Sequence, residues 1–340
     1  MSKARVMSGM RTTERIHLGN YFGALKNWVR LQDETDYECF FGAMDWHALT
    51  DAFGRANEIN EVAREVIADW IAYGINPEKS VIFIQSQVPQ HLEINMILSN
   101  ITPFGWLDRV TTWKDAKEEL QAKDAHNLGR FGYPVLQTAD ILAYQGTHVP
   151  VGRDQVPHLE LSREIVRRFN RIYKAKLPEM EALLTEAPVL PGLDGRKMSK
   201  SYGNHIPLTE SAKKVKKLCN KMLTDPKRET REDPGEPEDC QAVYKFHKLV
   251  SSAEDLSWVE EGCRSAGIGC GDCKARLAEN LNKIMEEPRE IKKELLNNPK
   301  NLDDIIQDGC ARARKEANET LRMMRDAMGF KSFDYPGGRS

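Results

Sequence analysis

Val6-Met7-Ser8-Gly9-Met10 is followed, after six intervening residues, by His17-Leu18-Gly19-Asn20 and then by Leu25, Trp28, Val29 and Leu31. The first run is short and apolar, as a buried strand reads, and the last four residues recur at helical spacing. Between them the chain turns. A helix that begins at such a turn presents free backbone N–H groups and the positive end of its macrodipole, a ready anion site. His17 and Asn20 lie about one turn apart and so share a side of the helix start, while Gly19 lets a flat ring approach the backbone closely. Taken alone, the segment reads equally as a surface histidine beside a turn glycine.

Outward from this opening, short β-branched runs alternate with helical patterns up to about residue 206. That order gives a parallel sheet covered by helices. Strands are expected at Arg5–Ser8, Cys39–Ala43 and Val81–Gln85. Between the second and third, Ile59, Val62, Val66, Ile67, Trp70 and Ile71 mark a helix that ends at Gly74, with Asn76-Pro77 just beyond. After residue 206 the strand signals stop, and Lys213–Leu223, Ala242–Val250, Lys274–Met285 and Asp303–Met328 read as helices. Asp225–Asp239, rich in acids and proline, reads as an exposed loop. The expectation is an α/β unit over 1–206 and a mostly α-helical unit over 207–340.

The totals exclude little. The chain has 340 residues, 40% of them hydrophobic and 29% charged, with 49 Lys+Arg against 51 Asp+Glu. A net charge of −2 does not announce a nucleic-acid partner, although a local patch could still bind one. The N-terminus lacks the apolar core of a secretory signal, and no apolar run approaches the roughly 20 residues needed to cross a bilayer. A cytoplasmic protein with no membrane association is expected, and seven cysteines in such a chain argue against a disulfide framework.

A second phosphate signal lies far downstream in Lys197-Met198-Ser199-Lys200-Ser201, where two ammonium groups three residues apart can clamp a departing pyrophosphate. Gly152-Arg153-Asp154-Gln155 follows the apolar Val149-Pro150-Val151, and Tyr133-Pro134 precedes Asp140-Ile141-Leu142. The first pair of motifs resembles the HIGH and KMSKS signatures of class I aminoacyl-tRNA synthetases. The Gly152–Gln155 loop resembles the GxDQ loop of members that activate tryptophan or tyrosine. Asp45-Trp46-His47-Ala48-Leu49, His158-Leu159-Glu160-Leu161-Ser162-Arg163-Glu164 and Arg167-Arg168-Phe169-Asn170 extend the likeness, and the chain is identified as a member of the bacterial tryptophanyl-tRNA synthetase family.

That resemblance implies a Rossmann-like catalytic domain followed by a helical anticodon-binding domain. It implies ATP held by Arg11, Thr12, Thr13, Gly19, Asn20, Gly152, Arg153, Asp154 and Val189, with Lys197, Met198, Ser199, Lys200 and Ser201 over the phosphates. His17, Asn20, Lys114, Lys197 and Lys200 would stabilise charge in the reaction. Tyr133 and Gln155 would take the ammonium of L-tryptophan, Asp140 its indole N–H, and His47, Val149 and Val151 would complete the pocket. Mg2+ would arrive with ATP, tRNA(Trp) would be the second substrate, and the protein would be a homodimer. Two departures stand out: Arg11-Thr12-Thr13-Glu14 replaces the usual Arg-Pro-Thr-Gly, and Arg153 stands where many relatives carry an acid.

Asp140 also has a physical reading of its own. A carboxylate among Ala139, Ile141 and Leu142 is costly to bury without a donor, so it is a helix N-cap or a substrate acceptor. A tyrosine hydroxyl would serve it as well as an indole N–H. Cys240, Cys263, Cys270 and Cys273 have the spacing C-x22-C-x6-C-x2-C, a metal signal that suits zinc or an iron–sulfur cluster. A single CxxC leans toward iron, and the resemblance implies a [4Fe–4S] cluster with Zn2+ as the alternative. Cys39, Cys219 and Cys310 read as core residues. Lys213, Lys214, Lys216 and Lys217 read as a solvated helix face or a tRNA contact. The rivals are a tyrosine-specific enzyme and an iron–sulfur, nucleic-acid-binding module on an inactive synthetase scaffold.

Overall fold

A computed structural model describes residues 3–110, 127–184, 190–199 and 202–330. Five parallel strands form one sheet: β1 (Arg5–Arg11), β2 (Glu38–Met44), β3 (Ser80–Ile84), β4 (His148–Val151) and β5 (Glu181–Leu184). Their spatial order is β3-β2-β1-β4-β5. The chain runs outward from β1 to one edge and then returns to its other side, so the order reverses between β1 and β4. A crevice opens beyond the C-terminal ends of two strands at such a reversal.

The helices bury the apolar faces that the sequence announces. Helix α1 (Lys26–Glu34) sets the Trp28 ring flat on Phe41 of β2, with centroids 4.7 Å apart. Helix α2 (Asp45–Ala52) starts directly at the end of β2. Trp70 of α3 (Ala56–Ala72) meets Trp28 edge-on at 5.2 Å. Each of these rings contributes roughly 1.5–3 kcal/mol by leaving water. Gly74 ends this unit at φ +106°, a conformation that favours glycine, so the expected stop falls where it was read. Helices α4 (Gln90–Ile101), α5 (Leu128–Ala143) and α6 (Val156–Tyr173) follow.

Beyond the sheet come α7 (Ala212–Asn220), α8 (Val243–Val250), α9 (Ala253–Arg264), α10 (Cys270–Asn297) and α11 (Pro299–Met328). Helix α10 runs well past the expected Met285 and carries Pro288 inside it, and α9 falls in a stretch for which no helix was expected. Helix α11 returns to cover the outer strand β3. Gly309 lies so close that a Cβ there would stand 1.8 Å from the Ile82 carbonyl oxygen. The Ile84 N–H donates to Cys310 Sγ at 3.4 Å, and Arg312 donates to the Pro77 carbonyl at 2.8 Å, so the exposed strand edge is closed. Lys292 of α10 pairs with Asp69 of α3 at 2.9 Å and donates to the Thr209 hydroxyl at 3.2 Å. Burial pushes the Asp69 carboxyl up to about 6 despite that lysine. Among the described residues no helix is long and apolar enough to cross a membrane.

Candidate active site

The crevice at the strand-order reversal is a cavity of about 350 Å³. Met7, Gly9 and Arg11 of β1 line one side, Val149 and Val151 of β4 with Gly152 and Gln155 line another, and His47, Tyr133 and Asp140 close it. All seven expected tryptophan- and loop-side residues (Tyr133, Asp140, Gln155, His47, Val149, Val151 and Gly152) therefore meet in one place, although α2, α5, and β4 with the turn after it supply them from distant parts of the chain. The walls are mainly apolar, which suits an aromatic side chain.

Asp140 is the one carboxylate on these walls, and it is 3% exposed. It lies in the last turn of α5, so the N-cap alternative does not hold. His47 Nε2 stands 2.7 Å from Oδ2, while Gln85 Nε2 and His91 Nδ1 each stand 2.7 Å from Oδ1. Burial favours the neutral acid, but the proximity of His47 and the hydrogen bonds from His47 and His91 outweigh it and hold the carboxyl well below the usual carboxylate range. The cavity thus has a permanent acceptor in its wall. Tyr133 presents its hydroxyl to the His158 ring at 3.2 Å. Arg153 is exposed beside Gly152.

The two phosphate motifs come together despite a separation of about 180 residues in sequence. The Leu18 N–H donates to the Ile206 carbonyl at 3.0 Å and the Leu208 N–H to the Ile16 carbonyl at 3.1 Å, so the start of the first turn is stitched to the strand-like exit of the second loop. The His17 and His205 rings stand 5.6 Å apart. A Cβ at Gly19 would lie 3.5 Å from Met198 Sδ, which places the glycine backbone against the loop methionine. Asn20 Oδ1 accepts from the His17 N–H at 2.9 Å, so this side chain caps the helix start as well as sharing a face with the imidazole.

The second loop is a tight hairpin in which Met198 N–H donates to the Leu190 carbonyl at 3.0 Å. Asn204, 3% exposed, is its clasp. It accepts from the Ser199 N–H at 2.8 Å and donates to Asp194 Oδ1 at 2.7 Å and to the Lys197 carbonyl at 3.2 Å. Lys197 itself is exposed. Thr12 is buried with a hydroxyl that finds no hydrogen-bond partner among the described residues, Thr13 is half-buried, and the Arg11 guanidinium is paired with Asp51, which also takes Arg130. Lys114, Val189, Lys200, Ser201 and the side chain of Asp154 lie outside the described residues.

Cys240, Cys263, Cys270 and Cys273 come from the turn before α8, the end of α9 and the first turn of α10. All four line one small cavity of about 30 Å³ together with Arg228. As donors, four thiols facing one space fit a thiophilic metal or cluster. Among the described residues no three His, Cys, Asp or Glu side chains are drawn close enough together to hold a metal ion. Cys39 and Cys219 are buried, and burial pushes their thiols up to about 11 and about 12, which keeps them inert in the core.

Gln85, His91, Tyr144 and Asn204 belong to the site or to its immediate support, and sequence reasoning passed over them. Gln85 directly follows β3 and His91 opens α4, the strand end and helix start where α/β sites gather. Position relative to the strand ends was the signal available for both.

A parallel sheet with a cavity at its strand-order reversal, and two phosphate-type loops meeting beside it, defines a nucleotide-dependent α/β enzyme. Residues 1–286 match the family described as tRNA synthetases class I (W and Y), and the chain belongs to that family. Within it, the chain is similar to the tryptophan–tRNA ligase of Thermotoga maritima, at 47% identity over 95% of this chain and 98% of that protein. It is 39% identical to the tryptophan–tRNA ligase of Aquifex aeolicus over 95% of this chain and 99% of that one. The crystal structure of tryptophanyl-tRNA synthetase from Campylobacter jejuni, complexed with ADP and tryptophan, superposes with a TM-score of 0.86 at 35% identity, covering 96% of this chain and all of that one.

Proposed function

We propose that this chain is a tryptophan–tRNA ligase. It activates L-tryptophan with ATP to tryptophanyl-adenylate and pyrophosphate, then passes the acyl group to a terminal ribose hydroxyl of tRNA(Trp). The observation that carries this reading is one buried, ionised carboxylate in an apolar cavity that lies beside two converging phosphate loops. Activation needs the substrate carboxylate to attack the α-phosphate in line while pyrophosphate leaves. No protein nucleophile is required, so the enzyme's contribution is position and charge.

Asp140 accepts the indole N–H, Tyr133 and Gln155 orient the ammonium, and His47, Val149 and Val151 wall the ring. Thr12, Thr13, Gly19, Asn20 and Gly152 line ATP with its ribose toward the Gly152–Asp154 loop. His17, Lys197, Lys200 and Lys114 meet the negative charge as it shifts to the leaving pyrophosphate. Magnesium would arrive with ATP and would supply charge neutralisation at the phosphates. Arg11, tied to Asp51, reaches ATP only by giving up that partner. ATP–pyrophosphate exchange with each amino acid in turn tests the reading. Exchange driven by tryptophan supports it, whereas exchange driven by tyrosine, or none with either, overturns it.

Residues 207–340 form the part that reads the tRNA, and the four cysteines hold a [4Fe–4S] cluster there, with Zn2+ as the alternative. The spacing of the cysteines and their shared cavity support this. The cluster would staple the loop before α8 to the ends of α9 and α10. Cys270→Ser should remove the brown colour of anaerobically prepared protein and weaken tRNA charging more than exchange; equal loss in both assays would refute that division of labour. The family likeness supports a homodimer. Its second copy would cover the apolar groove between α4 and α5, where Met96, Phe104 and Leu128 are 64%, 71% and 83% exposed. A monomer in sedimentation equilibrium at micromolar concentration would count against it.

A further inference from the structure

Behind the cavity wall lies a chain of polar groups that no substrate atom can reach. Asp140 turns Oδ2 toward His47, which shares the cavity with it, and turns Oδ1 into the protein. There Oδ1 meets two donors, Gln85 Nε2 and His91 Nδ1, both at 2.7 Å. His91 Nε2 in turn stands 2.6 Å from the Tyr144 hydroxyl. Gln85, His91 and Tyr144 have no exposure at all, and none of them lines the cavity.

The directions of these hydrogen bonds follow from the inventory of donors. An ionised carboxylate only accepts, so His91 Nδ1 must carry a proton. On the far side of the ring the Tyr144 hydroxyl stands within hydrogen-bond reach of His91 Nε2. His91 thus keeps a proton on the carboxylate side, with Tyr144 held against its far nitrogen. Both rings are held by packing: Phe83 stacks on His91 at 5.7 Å and Phe40 on Tyr144 at 4.7 Å. His91 opens α4 and Tyr144 closes α5, so the pair is fixed between two helix ends.

A carboxylate that must select an N–H needs one oxygen aimed and immobile. Rotating the Asp140 carboxylate moves both oxygens together, so the two hydrogen bonds anchored inside the protein at Oδ1 also fix where Oδ2 points. We infer that His91, backed by Tyr144, is the positioning residue that aims Asp140 Oδ2 into the cavity and so sets the enzyme's preference for a side chain bearing an indole N–H. The inference rests on the reading of Asp140 as the indole acceptor. In the structure His47 occupies Oδ2, so the arriving N–H joins or replaces an imidazole at an oxygen already held in place.

The test compares kcat/KM in ATP–pyrophosphate exchange for tryptophan and for β-(benzothiophen-3-yl)alanine, in which sulfur replaces the ring N–H. His91→Leu is expected to lower the tryptophan value roughly 10- to 100-fold and the analogue's by less than about threefold, so the preference collapses. His91→Asn places an amide N–H near the position of Nδ1 and should restore most of the preference. Equal loss for both substrates, or no rescue by asparagine, would reduce His91 to a packing residue and overturn the proposal. If His91→Leu does not fold, Tyr144→Phe decides, because it removes one buried hydroxyl and should shift the ratio several-fold; an unchanged ratio overturns the proposal. Asp140→Ala separates the two layers. If it keeps the wild-type ratio, the reading of Asp140 itself has failed, whereas a collapsed ratio with His91→Leu unaffected defeats the positioning role alone.

Discussion

Replacing Asn204 by alanine should cripple activation while leaving tryptophan binding intact. Its amide holds the second phosphate loop at three points: the Ser199 N–H at 2.8 Å, Asp194 Oδ1 at 2.7 Å and the Lys197 carbonyl at 3.2 Å. The side chain sits directly on Gly192, where a Cβ would stand 2.2 Å away, and it is 3% exposed, so water cannot readily take over its hydrogen bonds. At about 1 kcal/mol net each, the three contacts are worth about 3 kcal/mol. If that ordering must be regained at the transition state, the barrier rises by the same amount and adenylate formation slows roughly 100-fold. Single-turnover formation of the adenylate measures the rate, and quenching of protein fluorescence by tryptophan measures binding. Tryptophan affinity should change by less than about twofold, because the clasp lies outside the cavity that holds Asp140. A wild-type rate in Asn204→Ala would show that something else orders Lys197 and Ser199. A loss of affinity equal to the loss of rate would show that the clasp supports the whole site and not the loop.

Two further outcomes follow from the packing and the charge. Gly309→Ala drives a methyl into the Ile82 carbonyl and must lift α11 from β3, so the denaturation midpoint should fall by the equivalent of about 1–3 kcal/mol, whereas Gly105→Ala, with open space around it, should not destabilise; equal midpoints would mean that the helix and strand are less closely seated than described. The folded Asp140 carboxyl is held below its unfolded value near 4, so the stability it contributes is present above that pH and is lost as pH falls through the lower, folded value. The difference in melting temperature between wild type and Asp140→Asn should therefore narrow as pH is taken below about 4; a difference that stays constant down to about pH 2 would contradict it.

Much of the frame could be read from local pattern because local physics produces it. An apolar run of β-branched and aromatic residues makes a central strand, and the spacing from Ile59 to Ile71 makes a helix that Gly74 must stop. Where that physics is weak, the reading failed. Helix α9 buries only Val259 fully, so its periodicity is faint, though Ser252 as N-cap with Glu254 and Asp255 behind it was a usable sign. The end expected at Met285 is passed because the turns flanking Pro288 bury Met285 and Leu295 and carry α10 through. β4 has four residues with a proline among them, and β5 is half exposed, so neither has a strong strand signature.

The chemistry divides in the same way. The order and type of residues announced the loops at His17–Asn20 and Lys197–Met198–Ser199, and the polar residue at 140 that a substrate would seek, since those signals are carried by side chains adjacent in sequence. Only the tertiary structure decided that Gly19 lies against Met198, that His47 and His91 hold opposite oxygens of Asp140, and that Asn204 closes the loop. Such pairings join residues from 5 to about 180 positions apart. They arise when strands and helices pack, and the register of that packing is a property of the whole chain and not of any one segment.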